Sequence, residues 1–163
     1  MIEDEPPAGG EPPWSLVEVS ARYRELFPEA RAPQTVAEVR TLVTNMTAAK
    51  GDAYLPYWVS LAWLGQAAVP YYLEAYPRTA RAEGRVRLLF FSMSYGATNA
   101  AAYQLGLTAL QDRATLVRYR ACMLLGRAGR KDALPALRAL LQHESLRTRD
   151  DAARAIWEVE QRG

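Results

Sequence analysis

The sequence has a single cysteine, Cys122, and a single histidine, His143, in 163 residues, and lysine occurs only at Lys50 and Lys131. A disulfide framework needs cysteines in pairs. Structural zinc sites built from cysteine alone, or from cysteine and histidine together, need several soft ligands in one place, so both classes are excluded. A Cys/His nucleophilic pair would require the helix carrying Cys122 to meet the turn carrying His143. A cysteine inside an apolar helical stretch behaves instead as a small hydrophobe. There is no Gly-rich phosphate loop, no G-x-S-x-G elbow and no H-E-x-x-H motif. Asp150 and Asp151, and Glu158 and Glu160, stand one and two residues apart, spacings that do not face each other on a helix. These shortages predict a chain with no metal, no cofactor and no catalysis of its own.

Half of the residues are hydrophobic and 23% are charged, the composition of an ordinary globular domain, and the length suits one domain. The N-terminal MIEDEPPAGGEPP holds four acids, four prolines and two glycines, with no basic region ahead of an apolar one. It reads as a flexible acidic lead-in over residues 1–13 rather than a signal peptide, ahead of a single domain over 14–163. Residues 53–73 and 88–111 are uncharged and of membrane-spanning length. Pro56, Gly65, Gln66 and Pro70 interrupt the first, and Ser92, Ser94, Gly96, Thr98, Asn99 and Gln104 the second. Each splits into two short helices at glycine, which predicts no membrane span. The expected location is cytoplasmic.

A period of about 31 residues runs through the chain. Val86-Arg87, Val117-Arg118 and Thr148-Arg149 open successive apolar helical segments, and Leu64-Gly65, Tyr95-Gly96 and Leu125-Gly126 close them. Val117, Ala121, Leu124 and Leu125 form one buried helical stripe, repeated by Thr148, Ala152, Ala155 and Ile156. Ala68-Val69-Pro70 resembles Ala133-Leu134-Pro135, with proline where a helix's first turn tolerates it. Thr35 with Glu38 predicts a capping box, Gly51 a helix stop, and Thr98 or Asn99 a cap. Helices are expected over 14–27, 35–50, 53–65, 67–77, 83–95, 98–110, 115–127, 132–142 and 146–160, with no strand.

The run LQDRATLVRYRACMLLGRAGRKDALPALRALL, Leu110 to Leu141, resembles the short HEAT-like repeats of bacteria, including those once named after phycobilin lyases. The resemblance implies an all-α, right-handed α-solenoid of about four HEAT-like helical hairpins plus an N-terminal helix. It further implies a ladder between repeats, in which an Asp after the first helix pairs with an Arg six residues on. Asp112 and Arg118 match that pair. Arg81 before Arg87, and His143 before Arg149, depart from it, leaving Arg87 and Arg149 without the usual partner and open to a structural or a binding role.

Charge along the chain is uneven. Residues 1–77 sum to −5, residues 78–131 to +8 and residues 132–163 to −1. Eleven of the sixteen aromatics lie between Tyr54 and Tyr103. Aligning Gly65 with Gly126 places Trp63 and Leu64 in the core, and Tyr57 and Trp58 beside it at the positions of Arg118 and Tyr119. Exposed Tyr, Trp and Arg dominate interface energies, and second helices line the concave face of HEAT-like solenoids. The expected site is therefore a partner-binding one: Tyr57, Trp58 and Tyr119 as anchors, with Arg81, Arg85, Arg87, Arg118 and Arg120 attracting an acidic surface. The function expected is a non-catalytic protein-protein interaction scaffold, an adaptor or an inhibitor or immunity-type protein, its oligomeric state left open with a monomer favoured. The alternative is nucleic-acid binding through the basic block. A lyase rests on the family name alone. A HEAT-like DNA glycosylase would need a catalytic carboxylate, and Asp112 aligns only with the ladder position.

Overall fold

The structure, a computed structural model, describes residues 16–162. The expected lead-in over residues 1–13 lies outside the described residues. Among the described residues nine α-helices follow one another with no strand: α1 (Leu16–Leu26), α2 (Val36–Ala48), α3 (Leu55–Ala62), α4 (Val69–Ala75), α5 (Ala82–Ser92), α6 (Ala100–Ala109), α7 (Thr115–Ala128), α8 (Leu134–Ala139) and α9 (Leu146–Arg162). Each falls inside or across one expected helical segment. Local chemistry sets the boundaries. Thr35 Oγ1 accepts the Glu38 amide at 3.1 Å, while Glu38 returns a carboxylate oxygen to the Gln34 amide at 2.6 Å. Asn99 caps α6 through the Ala101 and Ala102 amides. Pro56, Pro70 and Pro135 sit in the first turns of α3, α4 and α8.

The helices pair as hairpins α2/α3, α4/α5, α6/α7 and α8/α9, with α1 laid on α3. In one layer α5, α7 and α9 lie side by side, and α3 joins them through Trp58, whose ring stacks on Phe91 at 5.0 Å. In the other layer α4 packs between α2 and α6, and Tyr103 of α6 donates to Asp132 just ahead of α8. The core runs unbroken between the layers, from Val43 and Met46 through Leu61, Leu88 and Leu105 to Leu124, Leu125 and Leu137. This is an all-α solenoid. Both long uncharged stretches break at a turn, around Gly65 and Gly96, and among the described residues no helix is long and apolar enough to cross a membrane.

The repeat is real, but its register differs from the sequence pattern. Arg85 donates to the carbonyls of Thr79 and Ala80, Arg118 to those of Asp112 and Arg113, and Arg149 to those of His143 and Glu144. In each case one guanidinium nitrogen satisfies the carbonyls six and five residues back, in the turn where the polypeptide enters the next helix. The equivalent residues are thus Arg85, Arg118 and Arg149, not Arg87, because the middle repeat is two residues longer than the pattern suggests. Arg87 does something else. It donates to the Met46, Ala49 and Gly51 carbonyls, and Arg81 adds bonds to Ala48 and Ala49. Glu83 bridges the two arginines. Two cations therefore close the C-terminal end of α2, where its dipole is negative.

The ladder has one ionic rung. Asp112 takes Arg85 bidentately, at 2.7 Å and 3.0 Å, and also accepts the Tyr76 hydroxyl and the Ala114 amide. Both charged side chains are under 10% exposed. Arg118 meets no carboxylate at its rung; its Nε donates to Thr148 Oγ1 at 3.0 Å. Burial raises the Asp112 carboxyl, but the hydrogen bonds from Arg85, Tyr76 and Ala114 outweigh it and hold the group below the usual range. The folded state therefore binds this proton more weakly than the unfolded chain. The resulting stabilisation is complete above the ordinary aspartate range and disappears as pH falls through the folded value. Asp112→Ala strands the Arg85 charge and should lower the unfolding free energy in urea at pH 7 by about 3 to 5 kcal/mol. Asp112→Asn should flatten the acid limb of a stability-versus-pH curve; an unchanged limb would place the acid sensitivity elsewhere.

Candidate docking face

The residues expected to form a binding site divide sharply. Arg85, Arg87 and Arg118 are buried, with their guanidinium groups committed to carbonyls, Asp112, Glu83 and Thr148. They are structural ties and not contact residues, which corrects that reading. Trp58 is corrected too: at 5% exposure it stands between the rings of Tyr23 and Phe91. Trp63, expected in the core, is 49% exposed beneath the guanidinium of Arg24, 3.2 Å away. One error explains both tryptophans. Gly65 and Gly129 have left-handed φ of 54° and 65° at the ends of α3 and α7, whereas Gly126 lies within α7. Matching Gly65 to Gly129 brings Trp58 onto the buried Cys122 and Trp63 onto Arg127, as observed. Tyr57 is half-buried against the core edge, and Arg81 is exposed while capping α2.

What does lie on the surface is a line of aromatic and cationic side chains crossing α5, α7 and α9. Phe90 of α5 is 45% exposed, opposite the stripe that buries Leu88 and Ser92. On α7 the Arg120 guanidinium lies 5.5 Å from the Phe90 ring and 5.4 Å from the Tyr119 ring. From α9, Arg147 reaches the Tyr119 ring at 5.3 Å. Arg120 also approaches the Met123 sulfur at 3.7 Å. Helical spacing gathers 116, 119, 120 and 123 on one stripe that borders the buried stripe of 117, 121, 124 and 125. Cation–π contacts hold the rings in place while leaving their edges open. Tyr119 and Arg120 were legible as candidates; Phe90 and Arg147 were not singled out. Their signal was the apolar residue on the far side of the α5 stripe, and the arginine opening α9 one turn before Asp151.

Between α7 and α9 the surface narrows to a cleft of about 20 Å³ bordered by Tyr119, Cys122, Met123, Asp151, Arg154 and Glu158. That is too small for a metabolite. Burial raises the Asp151 carboxyl against the pull of Arg147 and Arg154, and its Oδ2 atom is buried without a hydrogen bond, 3.8 Å from Arg147 Nε. A larger cleft of about 410 Å³, edged by Glu29, Arg31, Glu38 and Ser60, lies away from this line, beside the start of α2. Among the described residues no three His, Cys, Asp or Glu side chains gather where a metal could sit. His143 accepts the Ser145 amide through Nδ1. Cys122 is buried, and burial pushes its thiol up to about 12.

In comparison with protein families, residues 104–161 match HEAT repeats. This segment begins within α6 and ends near the close of α9. No curated protein and no solved structure matches the chain. HEAT repeats are commonly protein-interaction scaffolds and typically non-catalytic.

Two measurements check this placement. Trp58→Ala removes a ring from the packed cluster and should cost about 3 to 5 kcal/mol in urea unfolding. Tyr119→Ala, at a half-open cation–π contact, should cost about 1 kcal/mol or less. Comparable losses would contradict the assignment of one to core and one to surface. Cys122 should resist alkylation at pH 8 in the native protein and react at the free-thiol rate in denaturant; native reactivity would mean that α7 opens.

Proposed function

We propose that this HEAT-like repeat protein holds one protein partner on the face made by α3, α5, α7 and α9, the layer that lines the concave surface in solenoids of this kind, and performs no chemistry on it. The observation that carries the reading is the Phe90–Arg120–Tyr119–Arg147 line, exposed at Phe90 and Arg147 and half-buried at Arg120 and Tyr119. It offers rigid aromatic area at low entropic cost, beside cations that attract a complementary surface. Tyr57 borders this layer at its α3 end, and Arg81 adds positive field. A partner with an acidic surface fits best, and the role would be that of an adaptor or of an inhibitor or immunity-type protein. Solenoids bind through extended surfaces of this sort, since each hairpin contacts only its neighbours and leaves its outer face free.

Binding to nucleic acid fits less well. Of the basic block, Arg85, Arg87 and Arg118 direct their N–H groups inward, and Arg81 is occupied at the end of α2. A polyphosphate backbone is gripped by many outward cations and released steeply with salt.

Affinity capture with the wild-type chain and with the Phe90→Ser/Tyr119→Ala double variant, with the bound protein identified, tests the reading. The variant should lose the partner at an unchanged melting temperature, and Arg120→Glu should slow association. Retention of the partner by the double variant would remove the proposed face. Release that tracks salt alone, with nucleic acid in the eluate, would favour the other class.

A further inference from the structure

The three equivalent arginines are not equally satisfied. Each is fixed by two carbonyls of its own turn, with Arg149 at 2.7 Å from His143 O and 3.0 Å from Glu144 O. Arg85 then presents its Nε and Nη2 edge to the following hairpin and receives the Asp112 carboxylate in that fork. Arg118 presents Nε to Thr148 of the following hairpin. Arg149 holds the same posture on α9, and among the described residues nothing accepts a hydrogen bond from its Nε or Nη2.

The stripe around Arg149 is as distinctive as the fork. On α7 Arg118, Cys122 and Gly126 face α9, and Thr115 precedes them on the same stripe. Gly126 is where the helices approach closely, since a Cβ there would lie 3.2 Å from the Ala155 backbone. Thirty-one residues on, the same stripe of α9 reads Leu146, Arg149, Ala153 and Trp157. Trp157 replaces the glycine of the contact, so a further hairpin could not stack at the α7–α9 spacing. Leu146 is 63% exposed and Trp157 62% exposed, two of the largest apolar exposures among the described residues. Apolar area of this size on the same stripe as an unfilled guanidinium fork marks a surface that is covered when the protein is at work.

We infer that the exposed flank of α9 carrying Leu146, Arg149 and Trp157 is a second docking site, separate from the Phe90–Arg120–Tyr119–Arg147 line, and that it takes a polypeptide segment presenting an aspartate or glutamate between apolar side chains. The carboxylate enters the Arg149 fork as Asp112 enters that of Arg85, because a planar pair of N–H donors matches a carboxylate bidentately. Apolar neighbours on the segment cover Leu146 and Trp157. The carbonyl bonds set the guanidinium before the partner arrives, so little rotamer freedom is lost on binding.

Panning a random displayed 12-residue peptide library on the whole protein, with counter-selection on Trp157→Ser, isolates segments that use this flank. The enriched sequences should share an acidic residue flanked by apolar ones. Synthetic copies should lose about tenfold or more in affinity when the acid becomes its amide, and again on Arg149→Lys. That substitution keeps a cation for the His143 and Glu144 carbonyls but removes the fork. Phe90→Ser/Tyr119→Ala should leave these affinities unchanged, which separates failure here from failure of the concave-face reading. Enriched peptides without an acid, binding indifferent to Arg149→Lys, or no peptide sensitive to Trp157→Ser would each overturn the inference. So would a dimer dispersed by Trp157→Ser, which would place a second copy of the chain on the flank.

Discussion

The turns that lead into α5, α7 and α9 each leave two carbonyls to be satisfied, and an arginine from the helix that follows meets them. Arg85, Arg118 and Arg149 do so in the same way. Unpaired buried carbonyls are costly, so the turn cannot close without its cation. A cation brought inside must in turn be neutralised or bonded by the neighbouring hairpin. Asp112 and Thr148 supply those partners. The distance between hairpins, the register of α7 against α5 and the pairing of α4 with the following turn through Tyr76 all follow from satisfying that guanidinium.

This requirement also reshapes the charge pattern. A block of +8 over residues 78–131 looks like a surface field, but much of it serves the interior and the end of α2. Arg78 and Arg113 stay exposed, while Arg120 lies part-buried between the Phe90 and Tyr119 rings. Candidate recognition chemistry is therefore aromatic and cationic in equal measure, and local, rather than a broad positive plate.

Helix positions were legible because buried stripes, prolines in first turns and caps such as Thr35 and Asn99 are local signals that agree with one another. Stacking was legible between α7 and α9, where the period is a clean 31. It was misread upstream because a two-residue difference in repeat length is invisible when both Arg85 and Arg87 stand near the expected place. Likewise Gly65 could be matched to either Gly126 or Gly129, and only backbone handedness decides. Those two ambiguities exchanged Trp58 with Trp63 and assigned buried ties to the surface. The half-buried placement of Tyr119 and Arg120 beside Phe90 and Arg147 depends on periodicity within one helix, not on alignment between helices.

The rungs of the ladder differ in kind. Between α5 and the turn before α7 the tie is a buried ion pair, whereas between α7 and α9 it is a hydroxyl that accepts from Arg118. Protons act on the first and leave the second untouched. Of these two ties, acid weakens the one that joins the α4/α5 hairpin to the α6/α7 hairpin, in the middle of the solenoid and not at its ends.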